Sequence, residues 1–120
     1  MATLTNAQEL LAAYREAMES HDYRALGELF ADDAVAVTYS ERSRPSSAQK
    51  AEGKDAIVAV LSQGPDDLEH SVTDEVVADD RFAFKLTCRY PTGELVVATY
   101  ICETGAGKIG RQIGVEAWDE

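Results

Sequence analysis

The sequence predicts an α+β fold in which N-terminal helices pack on a curved, mainly antiparallel sheet. Apolar residues recur at helical spacing through much of the first half of the chain, whereas the second half alternates apolar and polar residues as strands do. Only one short strand-like stretch precedes that second half. The length of 120 residues suits one hydrophobic core, so we expect residues 1–120 to form a single domain.

Three helices are predicted from apolar spacing and capping residues. Thr5 and Gln8 have the spacing of a capping box at the start of the first helix. The apolar stripe of this helix consists of Ala7, Leu10, Leu11, Tyr14, Ala17 and Met18. Asp22 can cap a shorter second helix, which we expect to bury side chains as far as Phe30. A third helix is predicted over residues 53–62.

A first strand is predicted over residues 34–39, and a meander of strands from residue 71 onward. Between them, residues 41–52 are polar, contain Pro45 and show no periodicity, so we interpret them as a loop. The loop would suit a lid that helps hold an anionic ligand, although a solvated loop is the simpler interpretation. Its basic residues are Arg42, Arg44 and Lys50.

The last three strands can be aligned with one another from their alternation alone. If Thr92 and Gly93 form a two-residue turn, Tyr90 faces Leu95 and their two rows of side chains share one side of the sheet. A further hairpin then brings the last strand back beside them. The polar or aromatic residues predicted on this inner face of the last two strands are Thr99, Gln112, Glu116 and Trp118.

An apolar face that carries a few polar groups is typical of a small-molecule cavity. Gln112 and Thr99 are expected to lie opposite each other, where they either satisfy each other or bind a polar atom of a ligand. Glu116 is the candidate acid/base group, because burial would bring its pKa towards neutrality. Alternatively the strand frays or bulges, and the carboxylate reaches water or pairs with Arg89 or Lys85. Trp118 is expected to form core or a cavity lid, and His70 is interpreted as a solvated loop residue, with general base as the alternative.

Tyr14 lies on the apolar stripe of the first helix. Its hydroxyl either finds a partner within the core, as buried tyrosines usually do, or donates a hydrogen bond into the cavity.

The opposite face of the sheet is also apolar, which predicts a homodimer formed through the sheets. The outward-pointing residues predicted for that face are Val96, Ala98, Tyr100, Ile113 and Val115.

Several classes of function are disfavoured by composition and motifs. The net charge of −11 argues against nucleic acid and anionic membrane surfaces, which both require basic residues. No apolar stretch is long enough to span a bilayer. Cys88 and Cys102 are placed on opposite faces, so we expect free thiols and a cytoplasmic location. The segment around Lys108 lacks the first glycine and the Ser/Thr of a phosphate-binding loop, and we predict no metal and no cofactor.

Three segments carry a resemblance to a known family. They are L-L-A-A-Y-R-E-A-M-E-S-H-D-Y-R-A-L-G-E-L-F-A-D-D-A-V at residues 10–35, G-K-D-A-I at residues 53–57 and G-V-E-A-W at residues 114–118. On these segments the chain resembles the nuclear transport factor 2-like superfamily, in particular its SnoaL-like branch, which includes polyketide cyclases and ketosteroid isomerases. The resemblance covers nearly the whole length and implies a cone-shaped α+β barrel, a fold that hosts many unrelated functions.

The resemblance also maps the ketosteroid isomerase site onto this sequence. Tyr14 takes the place of the tyrosine that donates to the developing oxyanion. A gapless count places the general-base aspartate at Thr38, and a count back from the last hairpin places the second oxyanion donor at Thr99. Because threonine cannot act as a base near neutral pH, steroid isomerisation by that route is not expected.

Two hypotheses of function follow. In the first, the protein binds a small apolar cyclic molecule and acts as a cofactor-free isomerase, cyclase or hydrolase. Tyr14 and Glu116 would then be catalytic, while the substrate would be bound by Thr38, Thr99, Gln112 and Trp118. In the second, the protein is a non-catalytic binding or dimerisation module that uses the outer face of the sheet.

Overall fold

The computed structural model describes residues 6–64 and 67–119, and within them three helices pack on one six-stranded sheet. The helices are α1 (Ala7–Glu19), α2 (Tyr23–Gly27) and α3 (Lys54–Leu61). The strands are β1 (Phe30–Tyr39), β2 (Gln49–Glu52), β3 (Glu69–Val77), β4 (Arg81–Arg89), β5 (Leu95–Gly105) and β6 (Lys108–Trp118). A short 3₁₀ helix, Pro45–Ser47, precedes β2.

The strands follow the spatial order β2-β1-β6-β5-β4-β3, and only the pair β1–β6 is parallel. The predicted α+β class, with N-terminal helices on a mainly antiparallel sheet, is therefore confirmed. β2 and β3 form the two edges, so the sheet is open and does not close into the predicted barrel. Among the described residues, no helix has the length and apolar character needed to cross a bilayer.

The helix predictions are correct in number but differ at the ends. Asn6 caps α1, because its side-chain oxygen accepts from the backbone N–H of Glu9 at 2.8 Å; Thr5, the predicted cap, lies outside the described residues. Asp22 caps α2 as predicted. That helix ends at Gly27 and β1 begins at Phe30, so the prediction that the second helix extends to Phe30 is wrong. The six residues predicted for the apolar stripe of α1 are all buried.

The segment 41–52, predicted as an unstructured loop, contains the 3₁₀ helix and edge strand β2. β2 pairs with β1, and Ala51 lies buried opposite Ala36. Its four residues place only one small apolar side chain among polar ones, so periodicity could not reveal it.

The hairpin between β4 and β5 has a three-residue loop, where the sequence predicted a two-residue turn. Gly93 donates its N–H to the carbonyl of Tyr90 and has a φ of +93°, while Tyr90 donates to the carbonyl of Glu94. Arg89 therefore pairs with Leu95, one position away from the predicted register. A shift of one residue turns every side chain of β5 to the other face. The inner face of β5 carries Val96, Ala98, Tyr100 and Cys102.

The predicted inner face of β6 is correct from Gln112 onward, since Cys102 lies opposite Gln112 and Tyr100 opposite Gly114. The outer face is apolar as predicted, but with different residues on β5. Val97, Ile101 and Val115 are 36%, 41% and 58% exposed, respectively. Of the residues predicted to point outward, Val96, Ala98 and Tyr100 are instead buried on the inner face.

The two cysteines are free, as predicted, but the reason that we gave is wrong. Cys88 and Cys102 both lie on the inner face, where Cys88 pairs with Val96 and Cys102 with Phe82. They are separated along the strands, because Phe82 and Cys88 lie six residues apart on β4. This spacing, and not opposite orientation, keeps the two thiols apart.

Candidate functional site

A cavity of about 130 Å³ lies between the sheet and the ends of α1 and α3. Its apolar lining consists of Met18, Val60, Leu61, Leu68, Leu86 and Val96. The side chains with polar atoms that line it are Gln49, Gln63, His70, Cys88, Tyr90, Tyr100, Glu116 and Trp118. An apolar cavity with a few convergent polar groups is the usual construction of a small-molecule site.

Glu116 is the one carboxylate among the described residues that line the cavity. The Tyr100 hydroxyl donates to Oε2 of Glu116 at 3.3 Å, and Nε1 of Trp118 donates to Oε1 at 3.1 Å. Trp118 follows Glu116 by two residues on β6, so both point to the same face of the sheet. Tyr100 reaches the carboxylate diagonally from β5, where Ala98 is the residue directly opposite Glu116. The prediction that Glu116 lies on the inner face is confirmed.

Gly114 makes the room that Tyr100 occupies. The two residues are directly opposite each other, and a Cβ atom at Gly114 would lie only 2.6 Å from Cδ1 of the Tyr100 ring. No side chain can therefore replace the hydrogen at this position without moving the ring that carries the hydroxyl to Glu116. The glycine is a requirement of the site geometry.

The charge of Glu116 acts on its neighbours in the cavity. Burial, and then the negative charge of Glu116, raise the pKa of Tyr100 well above the usual value. Burial, followed by the same carboxylate, raises the pKa of Cys88 to about 11. At neutral pH Tyr100 is therefore a protonated hydrogen-bond donor, and Cys88 is a thiol.

His70 lies opposite Cys88 on the neighbouring strand and is 8% exposed, so its interpretation as a solvated loop residue is wrong. Its Nε2 atom lies 3.1 Å from the Tyr23 hydroxyl and its Nδ1 atom 3.3 Å from the Cys88 sulfur. Burial, and then the nearby His21, lower the pKa of His70 to about 4. The ring is therefore neutral at pH 7.

The lowered pKa of His70 predicts a pH-dependent stability. In the unfolded chain the ring takes up a proton near pH 6.5, and in the folded protein only near pH 4. The unfolded state therefore binds more protons between these values, so stability is lost as the pH falls from 6.5 to 4. We expect His70→Gln to reduce the loss of unfolding free energy over this range by about 1–3 kcal/mol, the upper end being the full effect of a pKa that falls from 6.5 to about 4. Urea denaturation at both pH values measures the difference.

His21→Asn is the matched control for this pH experiment. Asparagine tolerates the left-handed backbone at His21, whose φ is +58°. Burial, the larger cause of the lowered pKa at His70, remains in this variant, so most of the pH dependence should persist. An equal pH dependence in wild type and His70→Gln would contradict the assignment to His70.

Tyr14 and Gln112 contact each other in the core. The Tyr14 hydroxyl donates to Oε1 of Gln112 at 2.7 Å, and the Cys102 thiol donates to the same oxygen at 3.4 Å. Tyr14 is 0% and Gln112 2% exposed, and neither residue lines the cavity. Of the two alternatives for the Tyr14 hydroxyl, the structure shows a core partner.

Thr38 and Thr99 lie on opposite faces of the sheet. Thr38 is buried on the inner face of β1, between Gln49 and Gly114, but outside the lining of the cavity. Thr99 is exposed on the outer face, so the prediction that it faces the cavity and Gln112 is wrong. The count that placed a second oxyanion donor at Thr99 thus falls one residue away from Tyr100, which does point inward.

Trp118 connects the cavity to the segment that was predicted as a loop. The guanidinium of Arg42 lies 4.4 Å from the centre of the Trp118 ring, and the Trp118 backbone N–H donates to the Glu41 carboxylate at 3.3 Å. These contacts place residues 41–42 beside the cavity mouth. In the described ranges, no group of three or more His, Cys, Asp or Glu is arranged to hold a metal ion.

Tyr100 was not predicted as a cavity residue, and no site role was predicted for Tyr90, Cys88 or Gln49. Tyr100 was missed because of the hairpin register. Pro91 followed two positions later by Gly93 also fits a three-residue loop, in which a turn is followed by a left-handed glycine. That alternative would have placed Tyr100 beside Glu116.

Solved structures with the same fold include three bacterial proteins. An NTF2-like protein of unknown function from Burkholderia xenovorans LB400 has a TM-score of 0.76 at 20% identity, over 92% of this chain and 81% of that one. An NTF2-like protein of unknown function from Mesorhizobium loti has a TM-score of 0.75 at 21% identity, over 91% and 88%. A hypothetical protein with a ketosteroid isomerase-like fold from Catenulispora acidiphila DSM 44928, solved in complex with trimethylamine, has a TM-score of 0.68 at 19% identity, over 90% and 85%.

At these identities the structural similarity shows the fold alone. No curated protein matches the sequence. The sequence pattern of the SnoaL-like domain matches residues 11–108, from within α1 to the first residue of β6. Since this match spans most of the chain and the fold agrees with it, the protein belongs to the SnoaL-like domain family.

Proposed function

We propose that the cavity binds a small, largely apolar cyclic molecule and that Glu116 exchanges a proton with it. The observation that supports this proposal is the placement of Glu116 in the cavity, where Tyr100 and Trp118 hold its two oxygens. A carboxylate fixed in this way is oriented for general acid–base catalysis. The reaction would be a cofactor-free isomerisation, cyclisation or hydrolysis.

The size of the cavity limits the ligand. Its volume of about 130 Å³ is close to that of an engineered protein cavity of about 150 Å³ that binds benzene. A single five- or six-membered ring therefore fits, whereas the fused ring systems of steroids and aromatic polyketides exceed this volume. The ketosteroid isomerases and polyketide cyclases of the superfamily are thus poor guides to the substrate of this protein.

The proposed roles follow from the hydrogen bonds. Glu116 would remove a proton from a carbon next to a carbonyl or imine group and return it to another atom of the ligand. Tyr100 would stabilise the carboxylate as a neutral donor, because its raised pKa keeps the hydroxyl protonated. Trp118 would orient the second oxygen and form one side of the cavity, with the Arg42 guanidinium against its ring.

Deuterium exchange tests this proposal. Single-ring ketones, lactones and imines are incubated with the protein in D₂O, and incorporation at the carbon next to the C=O or C=N group is followed by NMR. We expect catalysed exchange for some members of this panel and a loss of at least about 100-fold in Glu116→Gln, the usual contribution of a positioned base. Gln112→Leu is the control, because Gln112 does not line the cavity. Exchange that survives in Glu116→Gln, or no binding of any member, would contradict the proposal.

The outer face of the sheet supports a second proposal, a homodimer or dimerisation module. Val97, Ile101 and Val115 form an exposed apolar surface on two adjacent strands, which is typical of an interface. We expect Val115→Asp to shift the protein from dimer to monomer in sedimentation equilibrium. The control is Ala56→Asp, which introduces the same charge at an exposed residue in the first turn of α3, a helix that packs on the inner face of the sheet. A monomeric wild type, or an equal effect of both variants, would contradict this proposal.

We also propose a cytoplasmic location. Cys88 and Cys102 are free thiols, which suits a reducing compartment.

A further inference from the structure

We propose that the molecule bound beside Glu116 carries a positive charge, as a small cyclic ammonium or iminium compound does. This inference rests on the proposed function of the cavity and specifies the charge of its ligand.

Among the described residues that line the cavity, no positively charged side chain balances the negative charge of Glu116. None of these residues is Lys or Arg, and His70 is neutral at pH 7. The two groups that bind the carboxylate, the Tyr100 hydroxyl and the Trp118 indole N–H, are neutral donors. A ligand cation would therefore gain Coulomb energy that the protein itself leaves available, and a ligand anion would be repelled.

The negative potential extends through the cavity. Glu116 contributes to the raised pKa of Cys88 and of Tyr100, and it contributes in the same direction at Tyr90. Cys88 lies on β4, Tyr90 directly after that strand and Tyr100 on β5, and all three line the cavity that holds the carboxylate. Arg42 acts in the opposite direction at Tyr90, but it lies outside the lining, over the Trp118 ring.

Aromatic rings form the wall next to the carboxylate. Tyr90 and Trp118 have ring centres 6.5 Å apart, and the Tyr100 ring lines the same space. The guanidinium of Arg42, 4.4 Å from the centre of the Trp118 ring, shows that this wall already binds a cation within the protein. Ring faces combined with a carboxylate recognise organic ammonium groups through cation–π and ionic attraction. A ligand without a donor group would instead cover the carboxylate and leave it without the hydrogen bonds of the water that it displaces, and a neutral donor would replace the hydrogen bond but not the charge.

Three compounds of the same size but different charge test the inference. They are cyclopentylammonium, cyclopentanol and cyclopentanecarboxylate, each of which has a single ring that suits the volume of about 130 Å³. Each is titrated in 150 mM NaCl, and the amide shifts of the wild-type protein are followed by NMR. We expect cyclopentylammonium to bind at least tenfold more tightly than cyclopentanol and at least 100-fold more tightly than the carboxylate, with shifts at β6 around Glu116.

Two variants separate the cavity from the overall negative charge of the protein. Glu116→Gln should remove the preference for the cation over the alcohol. Glu52→Gln removes one negative charge from the exposed edge strand β2 and should leave the preference unchanged. Tyr90→Leu removes one aromatic ring of the wall but no charge. It should lower the preference for the cation over the alcohol by less than Glu116→Gln does.

The outcomes distinguish the inference from the function on which it rests. Equal or tighter binding of cyclopentanol at the cavity would overturn the inference and leave the proposed cavity function intact. If Glu52→Gln lowers the affinity for the cation as much as Glu116→Gln does, the cation is attracted by the overall surface charge, and the inference is wrong. If none of the three compounds shifts the amides that surround the cavity, both the inference and the binding function are wrong.

Discussion

Gly114→Ala is expected to destabilise the protein by about 2–3 kcal/mol and to move Tyr100 away from Glu116. The added Cβ would lie 2.6 Å from Cδ1 of the Tyr100 ring, far inside van der Waals contact. The ring is buried between strands β4 and β6 and packs against Phe84, so it cannot move without strain. Urea denaturation measures the loss of unfolding free energy, and the rate of deuterium exchange measures the effect on the site.

Gly110→Ala is the matched control on the same strand. A Cβ at Gly110 meets no atom within 4 Å, so this variant should be within about 0.5 kcal/mol of wild type. In a Tyr100→Leu background the cost of Gly114→Ala should fall by at least about 1 kcal/mol, because the obstructing ring is gone. Equal costs of Gly114→Ala in both backgrounds would show that the ring is not the cause.

The hydrogen bond between Tyr14 and Gln112 is expected to give a large coupling energy in a double-mutant cycle. Tyr14→Phe removes the donor at 2.7 Å and should cost about 1–2 kcal/mol. Gln112→Leu leaves the buried Tyr14 hydroxyl without its acceptor and should cost about 2–3 kcal/mol. The double variant should cost at least about 1 kcal/mol less than the sum, since no hydroxyl is then left unpaired.

The same cycle separates a role in the core from a role in the cavity. Because neither residue lines the cavity, both single variants should bind ligand with unchanged affinity at temperatures where they are folded. Cys102→Ala serves as a control, because it removes only the weaker thiol contact to Gln112 at 3.4 Å. Additive costs would exclude the coupling, and a ligand affinity lowered by Tyr14→Phe would place its hydroxyl in the site after all.

Local patterns were sufficient for much of the fold. The stripe of α1 and the Asp22 cap follow from residues close together in the chain, and both are present in the structure. The alternation of β6 also placed Gln112 and Glu116 on the correct face. Helical spacing, capping and strand alternation depend on neighbours within a few residues, and this is why sequence alone could predict them.

The errors arose where two solutions have nearly the same local pattern. On β5 the residues of either face are apolar enough to form part of the core, with Val97 and Ile101 on one face and Val96 and Tyr100 on the other. A single residue in the length of the hairpin loop then decided which face is buried. The loop length depends on the left-handed conformation of Gly93, which the sequence permits but does not require.

The amino-acid sequence by itself therefore determined the α+β class, the helices, the family and the inward position of Glu116. Only the tertiary structure decided which groups meet Glu116, because Tyr100 reaches it across a hairpin and His70 enters the cavity from an edge strand. It also decided that Tyr14 and Gln112, 98 residues apart, satisfy each other in the core. Contacts between distant segments depend on strand register and on the space left by residues such as Gly114, which no local pattern encodes.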